Sequence, residues 1–240
     1  MSLRFPSSLI LAFALLQPLA AHAQSSTIGQ VEGDQYYSPN KAFHVTIPVI
    51  ADLGGTITDT DNVVSFQDAF TTHQSIARFK MNATLNREDE TRGRKEYLIW
   101  FFSNFVQADF EQRFAGARIE SAHFIKSIND GALLTYNLLP GGTMFPTRAC
   151  ILNNDRSIMA KRGNLLFVKN GYVFIISSEL VEKAVEHAAF NKTVAEEDAE
   201  LRKRLLAFLD KVTFTMPPVP PAATSGTAPT PPKPAVGSAK

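Results

Sequence analysis

Three stretches of this sequence predict an α+β fold. The run L-L-F-V-K-N-G-Y-V-F-I-I, from Leu165 to Ile176, places apolar, β-branched and aromatic residues on both sides of Asn170-Gly171. Asn-Gly supplies the two positive φ angles of a tight I′ turn, so the two runs are expected to pair antiparallel. Leu201, Leu205, Phe208, Leu209 and Val212 recur at the helical period and form a stripe able to cover one face of that hairpin. Leu98, Phe101, Phe102, Phe105, Val106, Phe110 and Phe114 form a second, wider stripe that stops near Gly116. The expectation is one domain, an antiparallel β-sheet packed by two or three helices, with the main helices at about residues 95–114 and 193–212.

The remaining elements follow in order. Residues 24–34 are polar and read as a flexible leader. Tyr36-Tyr37 and Phe43–Pro48 read as strands around the turn Ser38–Lys41, with Phe43, Val45 and Ile47 alternating onto one face. Gly and Asp content makes Asp52–Asn62 a loop. Val63–Phe70 and Ser75–Met81 are strands, and a charged stretch from Asn86 to Lys95 leads into the first helix. Ile119–Ile128 and Ala132–Leu139 are strands around Asn129-Asp130-Gly131, and Ala149–Leu152 is a short strand candidate. Leu180, Ala184, Val185, Ala188 and Ala189 keep a helical period up to Asn191. Thr193 and Glu196 have the spacing of a capping box at the start of the last helix.

Both ends differ from the middle. Arg4, the apolar run Leu9–Leu16 and Ala21-His22-Ala23 have the layout of a secretory signal, which predicts export, to the periplasm or beyond, with cleavage after Ala23. Without Arg4 the chain carries 23 basic and 23 acidic residues, so its charge gives no broad attraction to nucleic acid or anionic membrane. No later apolar run approaches the ~20 residues of a transmembrane helix. Cys150 is the single cysteine, so no internal disulfide forms. Residues 217–240 are rich in Pro, Ala, Thr and Ser without apolar periodicity and read as a disordered tail. Residues 35–216 make up the folded domain.

Y-Y-S-P-N-K-A-F-H-V-T-I-P at 36–48, V-V-S-F-Q-D at 63–68, F-V-K-N-G-Y-V-F-I-I at 167–176 and L-L-A-F-L-D-K-V-T-F at 205–214 together resemble the PsbP-like family. The sequence departs from the family in having no tryptophan soon after Ile47-Pro48 and in the extra helical stretch Glu179–Asn191. The resemblance implies an α/β/α sandwich and an accessory or assembly role, and it supplies no catalytic residue.

The residues themselves carry few catalytic or metal-binding patterns. The G-x-S-x-G elbow, the G-x-x-x-x-G-K-[ST] loop and a G-x-G-x-x-G after a strand are all missing, which removes serine-hydrolase, P-loop and dinucleotide readings. Cys150 is a candidate nucleophile only if His123 or His187 lies beside it; a lone cysteine in a strand is more often core filling. Histidines 44, 73, 123 and 187 are scattered, and Asp59-Thr60-Asp61-Asn62 has only part of a calcium-loop order, so no metal site is expected and that turn reads as solvated. Arg148, Arg156, Lys161 and Arg162 read as a dispersed solvated face rather than a basic patch. Phe101, Phe105 and Phe110, with Trp100 nearby, are the candidate ligand-binding residues, because pockets are walled by aromatic and aliphatic groups. No cofactor is implied. The leading expectation is an exported, non-catalytic module acting through a protein partner in the cell envelope. The alternative is an apolar small-molecule carrier or hydrolase with a Phe-lined pocket.

Overall fold

The computed structural model describes residues 27–145, 159–186 and 190–216. The expected signal segment to Ala23, the strand candidate Ala149–Leu152 with Cys150, His187 and the tail from 217 lie outside these residues. The fold is α+β, built from antiparallel sheets and helices as expected. Among the described residues, eleven strands form two sheets. A small one has the order β1 (Gln30–Glu32), β2 (Gln35–Tyr37), β3 (Phe43–Thr46) and β11 (Val212–Phe214). The large one runs β4 (Thr56–Asp59), β5 (Val63–Gln67), β6 (His73–Lys80), β10 (Tyr172–Leu180), β9 (Met159–Lys169), β8 (Ala132–Pro140) and β7 (Arg118–Ile125).

The β9–β10 hairpin lies near the centre of the large sheet and turns at Asn170 (φ 51°) and Gly171 (φ 77°), the two positive φ angles expected of this pair. Alternate residues of its strands enter different cores. Leu165, Phe167, Phe174 and Ile176 pack with Leu201, Leu205 and Phe208 of α5 (Val194–Leu209) and with Phe43 and Val45 of the small sheet. Leu166, Val173 and Ile175 pack with Leu98, Phe101, Phe102 and Phe110 of the other helical layer. Each predicted helix therefore covers one face of the sheet. Gly163 lets α5 approach closely, because a Cβ there would lie 3.0 Å from Leu205 Cδ1 and 3.4 Å from Leu201 Cβ.

Several elements depart from the sequence reading. β1 lies inside the stretch 24–34 read as a leader; Asp59 anchors the chain just before it, accepting the amides of Ile28 at 2.9 Å and Gly29 at 2.7 Å. β4 lies inside the expected loop Asp52–Asn62. The charged stretch before residue 95 is itself helical: α1 (Ala83–Arg92) is capped by Asn82, whose side chain accepts the Leu85 amide at 2.9 Å. α1 buries no residue, so it leaves no apolar period to read. The second helix is α2 (Arg94–Phe101), a π-helical segment Phe102–Gln107 and α3 (Ala108–Arg113). Leu180 ends β10, and the helix after it, α4, is described over Val181–Glu186. Val212 belongs to β11, opposite Val45, and not to the closing helix.

The capping box at the start of α5 is present. Thr193 Oγ1 accepts the Glu196 amide at 3.3 Å, and Glu196 Oε2 accepts the Thr193 amide at 2.7 Å. Thr193→Ala removes one half of this exchange and is expected to lower stability by about 1 kcal/mol, while Thr193→Asp costs less. Urea unfolding followed by circular dichroism checks both.

Candidate functional site

Two consecutive cross-strand rows on the α2–α3 face of the large sheet are polar, although this face is otherwise apolar. The register aligns Ser75, Ser177, Asn164 and Thr135 in one row. It aligns Glu179, Arg162 and Asn137 in the next. All seven side chains are buried. They stand at two-residue steps from Val173, Ile175, Leu166 and Leu133, so they face the same layer as the second core. The face thus has an apolar half under α2 and a polar half under the π segment, α3 and the loop Gly141–Phe145.

Buried polar groups must be paired within the protein, and these form a continuous network. Arg162 donates through Nε to Asn164 Oδ1 (3.1 Å), through Nη1 to Glu179 Oε1 (2.7 Å) and through Nη2 to Ser75 Oγ (2.9 Å). Its guanidinium lies 5.8 Å from the Phe110 ring centroid and 5.6 Å from that of Phe145. Asn164 also accepts from Ser177 Oγ at 2.9 Å and donates to Asn137 Oδ1 at 3.1 Å. Asn137 donates to Gln107 Oε1 at 2.8 Å, and Gln107 donates onward to the Ala117 carbonyl at 3.1 Å and to Glu111 at 2.9 Å. At the other end Glu179 accepts from Thr143 Oγ1 and from the Met144 amide at 3.2 Å, which ties the loop to the sheet.

His73 is on the same face of β6 as Ser75, one alternation further on, with 2% of its surface exposed and its ring 5.5 Å from that of Phe145. Neither ring nitrogen has a hydrogen-bond partner of good geometry. Burial pushes its pKa below the ordinary value, against the opposing charges of Glu179, Asp68 and Glu182 and the Thr71 backbone. Arg162 and Glu179 neutralise each other, so the network as built positions the loop Gly141–Phe145 rather than activating a nucleophile.

Lys161 and Arg162 are adjacent but point to opposite faces, and neither belongs to the solvated basic face expected from the sequence. Lys161 is fully buried, with its ammonium 2.5 Å from Glu120, 2.5 Å from Asp198 and 3.1 Å from Glu197. Only the Glu197 contact has hydrogen-bond geometry. Burial alone would lower its pKa; Asp198, Glu120 and Glu197 outweigh that and hold it above the ordinary lysine value. Asp59 likewise leaves the solvated turn expected for it, since it also accepts from Tyr36 Oη at 2.8 Å.

The three candidate phenylalanines divide between core and surface. Phe101 and Phe110 are buried, and Phe105 is 46% exposed. Phe101 and Phe105 rings lie 4.9 Å apart, whereas Phe110 belongs to the cradle of Arg162. Around Phe105 the surface carries Trp100, 5.6 Å away, and, across Phe101, Phe79 of β6, which is 38% exposed. Arg92 lies 5.2 Å above the Trp100 ring. Two surface grooves, of about 170 and 370 Å³, lie along α5 against Glu200 and Lys203, away from these phenylalanines. His123 is exposed on β7, and His44 stacks on Tyr37 at 5.2 Å. Among the described residues no helix is long and apolar enough to cross a membrane.

No protein-family model and no curated protein matches this chain. The fold is similar to that of PsbP. The solution structure of cyanobacterial PsbP (CyanoP) from Synechocystis sp. PCC 6803 has a TM-score of 0.45 and 12% identity, with 78% of this chain and 96% of that one covered. A crystal structure from Bacteroides thetaiotaomicron has a TM-score of 0.37 and 12% identity, with 77% of this chain and 49% of that one covered. This chain therefore spans about half the length of the Bacteroides protein.

Two outcomes test the network. Glu179→Gln leaves the buried Arg162 charge unpaired and is expected to cost about 3–5 kcal/mol, read as a lower urea midpoint. His73 has a depressed pKa, so the unfolded chain takes up a proton before the folded one does. Its contribution is fully present above the unfolded value of about 6.5 and is lost as pH falls from there toward the folded value. His73→Phe should match or exceed the wild type near pH 7 and lose less stability between pH 6.5 and 5. Parallel urea curves across that range check the difference.

Proposed function

We propose that this protein is an exported, non-catalytic binding module that acts through a protein partner in the cell envelope, and that its contact surface is the aromatic cluster of Phe79, Trp100 and Phe105. The observation that carries this reading is the exposure of Phe105 and Phe79, each packed against the buried Phe101 ring. Large aromatic side chains held in the open on a packed base have the composition and rigidity of interface anchors. In this reading Phe105 touches the partner, Phe101 supports it from below and Phe110 holds Arg162. The guanidinium of Arg92 over Trp100 adds a polar rim to the patch. Export rests on the signal-like segment ending at Ala23.

Site-specific photocrosslinking in cells that export the chain tests this proposal. A benzoylphenylalanine at position 105 is expected to give one discrete protein adduct in the envelope fraction, and the same probe at Lys203 on α5 is not. Phe79→Ala or Trp100→Ala should reduce the adduct at least tenfold, since anchor residues contribute about 2 kcal/mol or more to binding. Equal labelling from both positions, or none from 105, would defeat the proposal. An apolar small molecule that co-purifies with the wild type and is lost from Phe105→Ala would support the carrier reading instead.

A further inference from the structure

Three cationic side chains of the described residues are more than nine-tenths buried: Arg78, Lys161 and Arg162. Lys161 and Arg162 have carboxylates within 3.1 Å and 2.7 Å. Arg78, with 5% of its surface exposed, has none within ion-pair distance among the described residues. Its Nη2 donates to the Asp61 main-chain carbonyl at 2.5 Å, and its Nη1 is buried without a partner. The guanidinium lies 5.7 Å from the centroid of the Tyr172 ring. Asp61 contributes its carbonyl as the acceptor, while its carboxylate, beyond ion-pair distance, favours the charged guanidinium at longer range.

A buried charge without a counter-ion is unfavourable, and most titratable groups escape by becoming neutral. Burial presses the Arg78 pKa downward, but a guanidinium does not give up its proton in a protein. An anion from outside the domain would complete the compensation that the Asp61 carbonyl and the Tyr172 ring begin. The location suits one: Arg78 lies beside the start of β5, where its amide bonds to the Asn62 carbonyl, and the turn there is exposed from Thr60 to Val63. Tyr172, on the other side, has its hydroxyl 3.4 Å from the amide nitrogen of Asn40. Nη1 therefore lies beneath one exposed turn, beside Tyr172 and Tyr36 and within the longer-range field of the Asp61 carboxylate.

We propose that Arg78 is the centre of a binding site for a small oxyanion, a carboxylate or a phosphate, seated between the Thr60–Asn62 turn and the Tyr172 ring. The fork of a guanidinium matches both anions, and the one arm already fixed by the Asp61 carbonyl orients the other. Binding requires only that the exposed turn yield, because the aromatic floor belongs to the packed core around Phe43 and Phe174.

Thermal unfolding of the full mature chain tests this, with sodium phosphate and sodium acetate each titrated against chloride at constant ionic strength. The expected result is a saturable rise in Tm with one of the two anions, about 3–6 °C at ten times the dissociation constant. A rise with phosphate alone identifies a tetrahedral oxyanion, and a rise with acetate alone identifies a carboxylate. Arg78→Met should abolish the saturable rise. An equal rise in Arg78→Met, or no saturable rise with either anion, overturns the proposal. Should that variant fail to fold, the assigned Nε–H resonance of Arg78 in the wild type gives the answer. Its displacement with the same midpoint as the Tm curve supports the site, and an unmoved resonance overturns it.

Discussion

Arg162 and Glu179 face each other across the central hairpin, 2.7 Å apart, on a sheet covered on both sides. Both side chains are almost wholly buried, so their remaining lone pairs and N–H groups call for protein partners. That requirement extends along both polar rows. Arg162 needs Asn164 and Ser75, Asn164 needs Ser177 and Asn137, and Asn137 needs a group from the helical layer. The helical layer supplies Gln107, and the loop after β8 supplies Thr143 and the Met144 amide. The network thus reaches from the sheet into the helical layer on one side and the loop after β8 on the other.

The same ion pair fixes strand register. Lys161 and Arg162 are neighbours on β9 and serve opposite faces, one meeting Glu197 on α5 and the other Glu179 on β10. A slip of β9 by one residue would exchange the faces and bring each cation to the wrong layer. Apolar residues such as Leu165 and Leu166 are more interchangeable, because both faces are apolar at their level. Specificity of register therefore rests more on the charged pair than on the hydrophobic run that follows it. Gly163, between the two in alternation and Leu165, lets α5 come close enough for Glu197 to reach Lys161.

Local patterns were legible in the sequence wherever a single segment contained its own cause. Asn170-Gly171 carries the φ angles of its turn, and Thr193 with Glu196 carries its own cap. The alternation of Phe43 and Val45 shows one buried face without reference to anything else. Lys161 and Arg162 were not legible, because a charged pair at a strand entrance reads as solvated unless the covering layers on both sides are known. Their carboxylates come from β7, from α5 and from the far end of β10, and even the hairpin partner Glu179 is 17 residues along the chain from Arg162. Helix α1 and strands β1 and β4 were hidden for the converse reason: they bury little, so no apolar period marks them.

The π-helical segment links the buried polar rows to the aromatic surface and explains why Phe105, part of the predicted apolar stripe, faces solvent. An uninterrupted α-helix with Leu98, Phe101 and Phe102 in the core continues its buried stripe through Phe105 and Asp109. A π turn uses about one more residue than an α turn, which moves the frame forward by one position. The observed core positions are Val106, Gln107 and Phe110, while Phe105 turns outward. The shift has two consequences at once. It places the Gln107 amide over Asn137, where the buried rows require a polar partner, and it lifts an aromatic ring into solvent beside Trp100. A regular helix would bury Phe105 and turn Gln107 away from Asn137, so the polar demand of the sheet and the aromatic surface depend on the same extra residue.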